Sequence, residues 1–206
     1  GHSVSAPFLT PGDDNGHGTH TTGTIVGDDG DVNQIGVAPD ARWIGCRNML
    51  NNVGSVARYT ACFQFALAPT EVGCEVPTAL ITVTQSLRDA GIMVVASAGN
   101  SGPSCSTVSA APATLDQAFT VGATDSGNII ANFSSRGPST LSGRVKPDLV
   151  APGVAVRSSE GSGYVLKQGT SMDGASSSIS ALTPGSSGGS TTSSNSSPAK
   201  RASNQP

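Results

Sequence analysis

The sequence predicts an α/β fold with a mainly parallel central sheet. An amphipathic helix over residues 78–90 is followed at once by the apolar, largely β-branched run of residues 92–98. A strand that is apolar throughout is buried on both faces, as the strands of parallel sheets are. Helix alternating with buried strand is typical of α/β proteins with right-handed crossovers.

The helix prediction depends on the spacing of its apolar residues. They fall at i, i+3, i+7 and i+10, namely Leu80, Val83, Leu87 and Ala90. Thr78 suits the N-cap, and Gly91 suits the residue that ends the helix. Two further segments, residues 41–46 and residues 118–124, are predicted as further strands.

The composition excludes two classes of partner. Only 12% of the 206 residues are charged, against about 25% in an average soluble protein. The net charge of -3 gives no basic surface for nucleic acid or an anionic membrane. The longest apolar run, residues 91–98, is far shorter than the roughly 18 residues of a membrane helix. We therefore expect a soluble chain that binds neither nucleic acid nor membrane.

The four cysteines indicate an oxidising environment. Their spacing matches no CxxC metal or redox motif, and their even number in a chain of low charge favours secretion. Three disulfide pairings are possible. Proximity in the chain favours Cys46 with Cys62 and Cys74 with Cys105, and the alternative is four buried free thiols.

The chain divides into two parts. Residues 1–183 are expected to form the folded domain. From Pro184 the composition collapses to Gly, Ser, Thr, Asn and Pro, so residues 184–206 are predicted to be a disordered tail. The first residues lack an initiator Met and the basic and apolar regions of a signal peptide, so we expect that the chain begins within a longer protein.

Five stretches combine glycine with a functional side chain or a shaped turn. Three carry chemistry: His17 lies between glycines at a helix start, Asn100 follows the apolar strand, and Ser171 lies in Gly-Thr-Ser-Met. The carboxyl ends of parallel strands are where open α/β sheets bind ligands. The five stretches are residues 13–25, 36–41, 96–103, 133–153 and 169–172.

Taken together and in this order, the five stretches resemble the subtilisin-like serine proteases. The resemblance implies a subtilisin-like three-layer sandwich, here truncated, and a secreted endopeptidase that acts on proteins or peptides. It makes His17 the general base, Asn100 the oxyanion-hole amide and Ser171 the nucleophile, and the chain order agrees with the family's Asp, His, Ser triad. We expect a monomer that needs no cofactor.

Three departures from the family pattern stand out. The triad Asp is expected upstream of His17, yet the twelve residues before Asp13 contain no acidic residue. Asp14, only three residues before His17, is not expected to replace it. The family's substrate-binding strand is missing between Cys62 and Thr78, and Gly174 with the serines after it forms helix poorly. We therefore expect residual activity, and the alternative is a catalytically silent relative that acts as a binding or structural module.

Two possible metal sites are weighed against simpler interpretations. His17 and His20, with Asp13 and Asp14, could imitate a zinc site, but the remaining ligands for closed coordination are not evident. His20 is instead expected to be buried in the helix. An acidic loop offers calcium ligands, although a solvated turn is the favoured interpretation; its candidates are Asp28, Asp29 and Asp31.

Overall fold

The structure is a computed structural model that describes residues 2–3, 12–51, 53–67, 80–174 and 200–201. Residues 170–174 are helical and are called α4. The other elements, in chain order, are β1 (His2–Ser3), α1 (His17–Val26), β2 (Cys46–Arg47), β3 (Met49–Leu50), β4 (Val53–Gly54), α2 (Val56–Leu67), α3 (Leu80–Asp89), β5 (Val95–Ser97), β6 (Phe119–Thr124), β7 (Leu149–Pro152), β8 (Val156–Glu160), β9 (Gly163–Lys167) and β10 (Lys200–Arg201).

The central sheet has the strand order β10-β7-β6-β5. Strands β5, β6 and β7 run parallel, with Val95 opposite Phe119 and Val121 opposite Leu149. β6 lies between two strands and is buried over residues 120–124. β10 pairs antiparallel with β7, and β5 forms the other edge of the sheet among the described strands. The predicted parallel α/β sheet is confirmed.

Helix α3 covers one face of this sheet with the residues predicted from their spacing. Its buried positions include Leu80, Val83 and Leu87, whereas Ala90 is exposed. These side chains share a core cluster with Val94, Ala96 and Ala98 around β5. The proposed cap, Thr78, lies outside the described residues.

Gly91 ends α3 as predicted. The amide of Gly91 donates to the carbonyl of Arg88 (3.0 Å), and the amide of Ile92 donates to that of Leu87 (2.8 Å). This is the paired arrangement of a Schellman motif, in which the residue after the helix is left-handed. Gly91 has φ +79°, where a side chain would be strained.

Two predicted strands are shorter than expected. In the run Ile92–Ala98, Ile92 and Met93 are 37% and 41% exposed because they precede β5 rather than belong to it. In residues 41–46 only the last joins a strand, and Trp43 and Ile44 are exposed. No described strand pairs with residues 41–45. Their backbone groups would therefore lack hydrogen-bond partners in a sheet if this segment were extended and buried.

Helix α1 packs against the hairpin of β8 and β9. The hydroxyl of Ser158 donates to the carbonyl of His20 (2.7 Å). The His20 ring is fully buried, and its Nε2 lies 3.2 Å from the carbonyl oxygen of Val156 and 3.3 Å from that of Val165. The prediction that His20 is a buried helix residue is confirmed, and this packing fixes the start of α1 relative to the hairpin.

One predicted disulfide is formed. Cys46 and Cys62 are bonded, with their Cα atoms 5.7 Å apart, and the bond ties β2 to α2. Within the described part of the chain Cys105 is an exposed free thiol, so the expected bond to Cys74 is not made. Cys74 itself lies outside the described residues. No helix in the described ranges is long and apolar enough to cross a membrane.

Candidate active site

Asn100 and the residues around Ser171 meet at the carboxyl edge of the parallel sheet. The side-chain oxygen of Asn100 accepts hydrogen bonds from the backbone amide of Thr170 (2.9 Å) and from its hydroxyl (3.1 Å). The amide of Gly99 donates to that same hydroxyl oxygen (3.1 Å). Two motifs about seventy residues apart in the sequence are thereby joined.

The backbone before Ser171 is held by the end of β7. The amide of Gly169 donates to the carbonyl of Gly153 (2.9 Å), which directly follows β7. Gly169 has φ +146°, and an added Cβ would lie 3.6 Å from the Asn100 amide nitrogen. The contact with Asn100 would be of ordinary van der Waals length, so it is the positive φ, which residues with a Cβ rarely adopt, that explains the glycine. Ser171 follows in the first turn of α4 and is half-buried.

The contacts of Asn100 fix which end of its amide is free. Its oxygen is occupied by Thr170, so the amide nitrogen, with two donor hydrogens, faces away from that contact. Among the described residues no acceptor engages this nitrogen, and Asn100 is exposed. The arrangement provides a hydrogen-bond donor in reach of solvent beside the Ser171 segment.

His17 is the first residue of α1, and Asp13 shapes its environment. One carboxylate oxygen of Asp13 accepts from the amides of Asn15 (3.1 Å) and Gly16 (3.0 Å). The other accepts from the amide and the hydroxyl of Thr19, each at 2.7 Å. Partial burial opposes ionisation of Asp13, but these hydrogen bonds outweigh it and lower its pKa to about 2. Gly16 is the N-cap residue of α1, and Asp13, three residues before it, accepts from the amides at the start of the helix that presents His17.

The electrostatic surroundings of His17 favour its neutral form. Burial lowers the pKa of the imidazole below its ordinary value, and the positive charge of Lys167 lowers it further, with Asp13 acting in the opposite direction. Lys167 lies at the end of β9 and forms an ion pair with Glu160 (2.8 Å). Because β9 leads directly into the segment of Ser171, the hairpin connects the surroundings of both residues.

Asp14 is engaged elsewhere. Its carboxylate forms an ion pair with Arg47 and accepts from the amide of Asn51 (3.1 Å). Within the described ranges no carboxylate forms a hydrogen bond or ion pair with the His17 ring. The segment expected to lack the substrate-binding strand, residues 68–77, lies outside the described residues.

The acidic loop after α1 is internally hydrogen-bonded. The carboxylate of Asp29 accepts from the backbone and side-chain amides of Asn33 and from the hydroxyl of Tyr164. Asp28 accepts from the amide of Gly30 (2.8 Å). In the described part of the chain no group of three His, Cys, Asp or Glu side chains is arranged to hold a metal ion.

Two residues of the site were not singled out from the sequence. Thr170 lies inside the Gly-Thr-Ser-Met motif, and its role as the link to Asn100 depends on a contact that the sequence does not show. Asp173 is fully buried two residues after Ser171. A signal for Asp173 was present in the sequence, since an acidic residue directly follows the Gly-Thr-Ser-Met stretch.

Comparisons with known proteins place the chain in a family. The profile of the Subtilase family matches residues 3–183. The chain belongs to the subtilase family. It is 35% identical to Bacillopeptidase F and 32% identical to Serine protease AprX, both of Bacillus subtilis (strain 168), over 77% and 79% of its own length. It is structurally similar to Sphericase, with 27% identity and a TM-score of 0.68 over 87% of the chain.

The subtilase chain spans only part of these relatives. It covers 13% of Bacillopeptidase F, 46% of Serine protease AprX and 67% of the Sphericase chain. The likeness to a solved subtilase structure confirms the predicted subtilisin-like fold class. Expectations about activity, substrates and partners remain proposals.

Proposed function

We propose that this subtilase chain carries a serine endopeptidase site, with Ser171 as nucleophile, His17 as general base and Asn100 as oxyanion donor. The observation that supports it best is the double hydrogen bond from Thr170 to the Asn100 oxygen. That contact joins Asn100 to α4, the helix that carries Ser171, and this supports a role for the amide in the proposed hydrolysis.

In the proposed reaction the Ser171 hydroxyl attacks the carbonyl carbon of a peptide bond. His17 takes the hydroxyl proton and later gives it to the leaving amine. A base must be unprotonated to do this, and the lowered pKa of His17 favours that form near neutral pH.

The carbonyl oxygen becomes an anion as the tetrahedral intermediate forms. A donor that is already oriented stabilises this charge without reorganising during the reaction. The free amide nitrogen of Asn100 is such a donor, because Thr170 holds the oxygen end. Removing a donor of this kind costs about 2.7 to 4 kcal/mol, a value that comes from a subtilisin.

The orienting carboxylate of a triad has no counterpart among the described residues. In a subtilisin, loss of the triad Asp alone lowers kcat by about 3 × 10⁴, which equals about 6 kcal/mol. We therefore propose that this chain hydrolyses peptide bonds slowly, with the nucleophile, the base and the oxyanion donor supplying the remaining rate enhancement.

The substrates proposed are proteins and peptides, and no cofactor takes part in the proposed steps. Asp28, Asp29 and Asp31 stay as calcium candidates. The bond between Cys46 and Cys62 supports an extracellular location, because disulfides persist in oxidising compartments. We propose that the chain acts as a monomer.

A fluorophosphonate probe, which reacts with an activated serine, tests the proposal. We expect labelling that maps to Ser171 by mass spectrometry and disappears in Ser171→Ala and in His17→Ala. Ser126→Ala, which removes an exposed turn serine, is the matched control and should label as the parent does. A protein that is folded by circular dichroism but takes no label at Ser171 would contradict the proposal and favour a silent binding or structural module.

A further inference from the structure

Asp173 is a buried acid that the proposed reaction does not use. Its side chain has no solvent exposure, and it lies two residues after Ser171 in α4. Neither carboxyl oxygen has a hydrogen-bond partner among the described residues. An added Cβ on Gly153 would lie 3.3 Å from the Asp173 carboxyl carbon and 2.8 Å from the Cβ of Ala123, so the carboxyl lies against the ends of β6 and β7.

The groups that face Asp173 are uncharged. Gly153 lies just after β7 and Ala123 lies on β6, and neither carries a charge. The adjoining Gly174 lies near β5, where the amide nitrogen of Ser97 would be 3.9 Å from an added Cβ. No charged side chain in the described ranges contributes to the pKa of the carboxyl. The titratable groups that flank these strands are engaged elsewhere: Asp148 with Lys146 (2.6 Å), and Asp125 with the amides of Gly127 and Ile129.

An ionised carboxylate in this position is unfavourable. A buried charge loses its hydration, and where the interactions that it gains are too weak to compensate, the group stays protonated instead. Burial raises the pKa of Asp173 to about 9, although the backbone amides of residues 173 and 174 lie where they favour the ionised form.

We propose that Asp173 is a proton-dependent latch for the Ser171 segment: residues 170–174 stay packed while its carboxyl is protonated and open when it ionises. Opening lets the carboxylate reach water. It also breaks the contact of Thr170 with Asn100, because Thr170 and Asp173 belong to the same helical turn. The proposal concerns the packing of this segment and holds whether or not the site is catalytic.

The direction of the effect follows from proton linkage. The packed segment binds the Asp173 proton up to about pH 9, whereas the opened segment releases it with the ordinary pKa of 3.8. The packed state is therefore most stable below the lower of these two pKa values. Its stability falls as pH rises between the two pKa values and becomes constant above the higher one.

Hydrogen exchange of the intact protein, followed by mass spectrometry from about pH 6 to about pH 10, tests the latch. We expect the protection factor of peptides covering residues 169–174, corrected for intrinsic exchange, to fall about tenfold per pH unit up to about pH 9. The matched variant Asp173→Asn keeps the shape without the acid, and its protection factor should not change with pH. Peptides covering β6 serve as the internal reference and should keep their protection.

Three results would overturn the latch. One is a protection factor for residues 169–174 in the parent protein that stays constant across this pH range. Another is the same fall in Asp173→Asn as in the parent. The third is an equal fall in β6, which would show that ionisation opens the whole domain rather than this segment. The parent profile decides the question even if Asp173→Asn does not fold, and Asp173→Ala provides a second neutral variant.

Discussion

Thr170 donates two hydrogen bonds to one oxygen of Asn100, from its amide at 2.9 Å and from its hydroxyl at 3.1 Å. The same hydroxyl accepts from the amide of Gly99. One fully buried threonine thus joins the loop after β5 to the start of α4.

Thr170→Val should destabilise the protein and loosen the site. The change keeps the side-chain volume but leaves the amide of Gly99 without its acceptor and removes one bond to Asn100. We expect a loss of about 1 to 3 kcal/mol in the free energy of unfolding, measured by urea denaturation. Thr170→Ser keeps the hydroxyl and should lose less. Equal losses in the two variants would contradict a role for the hydroxyl.

The variant Asn100→Asp tests the acceptor oxygen and the donor nitrogen of Asn100 separately. The variant keeps an oxygen to accept from Thr170 but replaces the donor with a negative charge. We expect near-parental stability and at least about a hundredfold slower labelling of Ser171 by the fluorophosphonate probe. Asn100→Ala should lose both stability and rate. Parental labelling by Asn100→Asp would show that this amide does not assist the reaction.

The pH dependence of Ser171 labelling should report the surroundings of His17. Because burial and Lys167 lower the imidazole pKa, the rate should rise through an inflection below the ordinary value of 6.5. Lys167→Met removes a positive charge and leaves Glu160 unpaired, so the inflection should move to higher pH. The same pH profile in parent and variant would show that Lys167 does not affect the pKa of His17.

Asp13 should make α1 sensitive to acid. Its pKa is about 2 in the folded protein and 3.8 as the ordinary value, so its stabilising contribution is complete above about pH 4 and is lost as pH falls towards 2. Asp13→Asn should remove this acid transition from the helical signal in circular dichroism. Because an amide has one acceptor oxygen where the carboxylate uses two, the variant should also lose about 0.5 to 1.5 kcal/mol of stability at neutral pH. Asp40→Asn, at an exposed turn position, is the control and should keep the transition.

Leu87→Ala should be among the more destabilising changes in α3. Leu87 is 1% exposed and lies in the core cluster with Val94 and Ala96. The cavity should lower the free energy of unfolding by about 2 to 5 kcal/mol. Ile81→Ala, on the exposed face of the same helix at 46% exposure, should change it by only about 0.5 kcal/mol. Similar effects in both variants would mean that α3 does not bury the face described.

The parts of the fold that were predicted correctly depend on local rules. The stripe of Leu80, Val83 and Leu87 and the glycine after it define α3 without reference to the rest of the chain. The strand predicted over residues 118–124 is also present, as β6, and residues 120–124 are buried. Patterns of this kind predict an element correctly where the elements that pack against it are present in the fold.

The errors occur where a neighbour decides the conformation. Trp43 and Ile44 have the composition of a buried strand, but no described strand pairs with them and they are exposed. The motifs of Asn100 and Ser171 were found from the sequence. Their contact through Thr170 was not, since it joins residues 70 positions apart. The burial of Asp173 likewise depends on Gly153 and Ala123, which only the folded chain brings beside it.

The bond between Cys46 and Cys62 makes the choice of expression host important. It closes a loop with a sequence separation of 16, and a crosslink of that span is worth about 3 kcal/mol in the chain-entropy account. Protein produced in a reducing cytosol would lack this contribution, and α2 would be attached to β2 by packing alone. Thermal unfolding with and without a reductant is therefore the first comparison to make on any preparation, before low activity is attributed to the site.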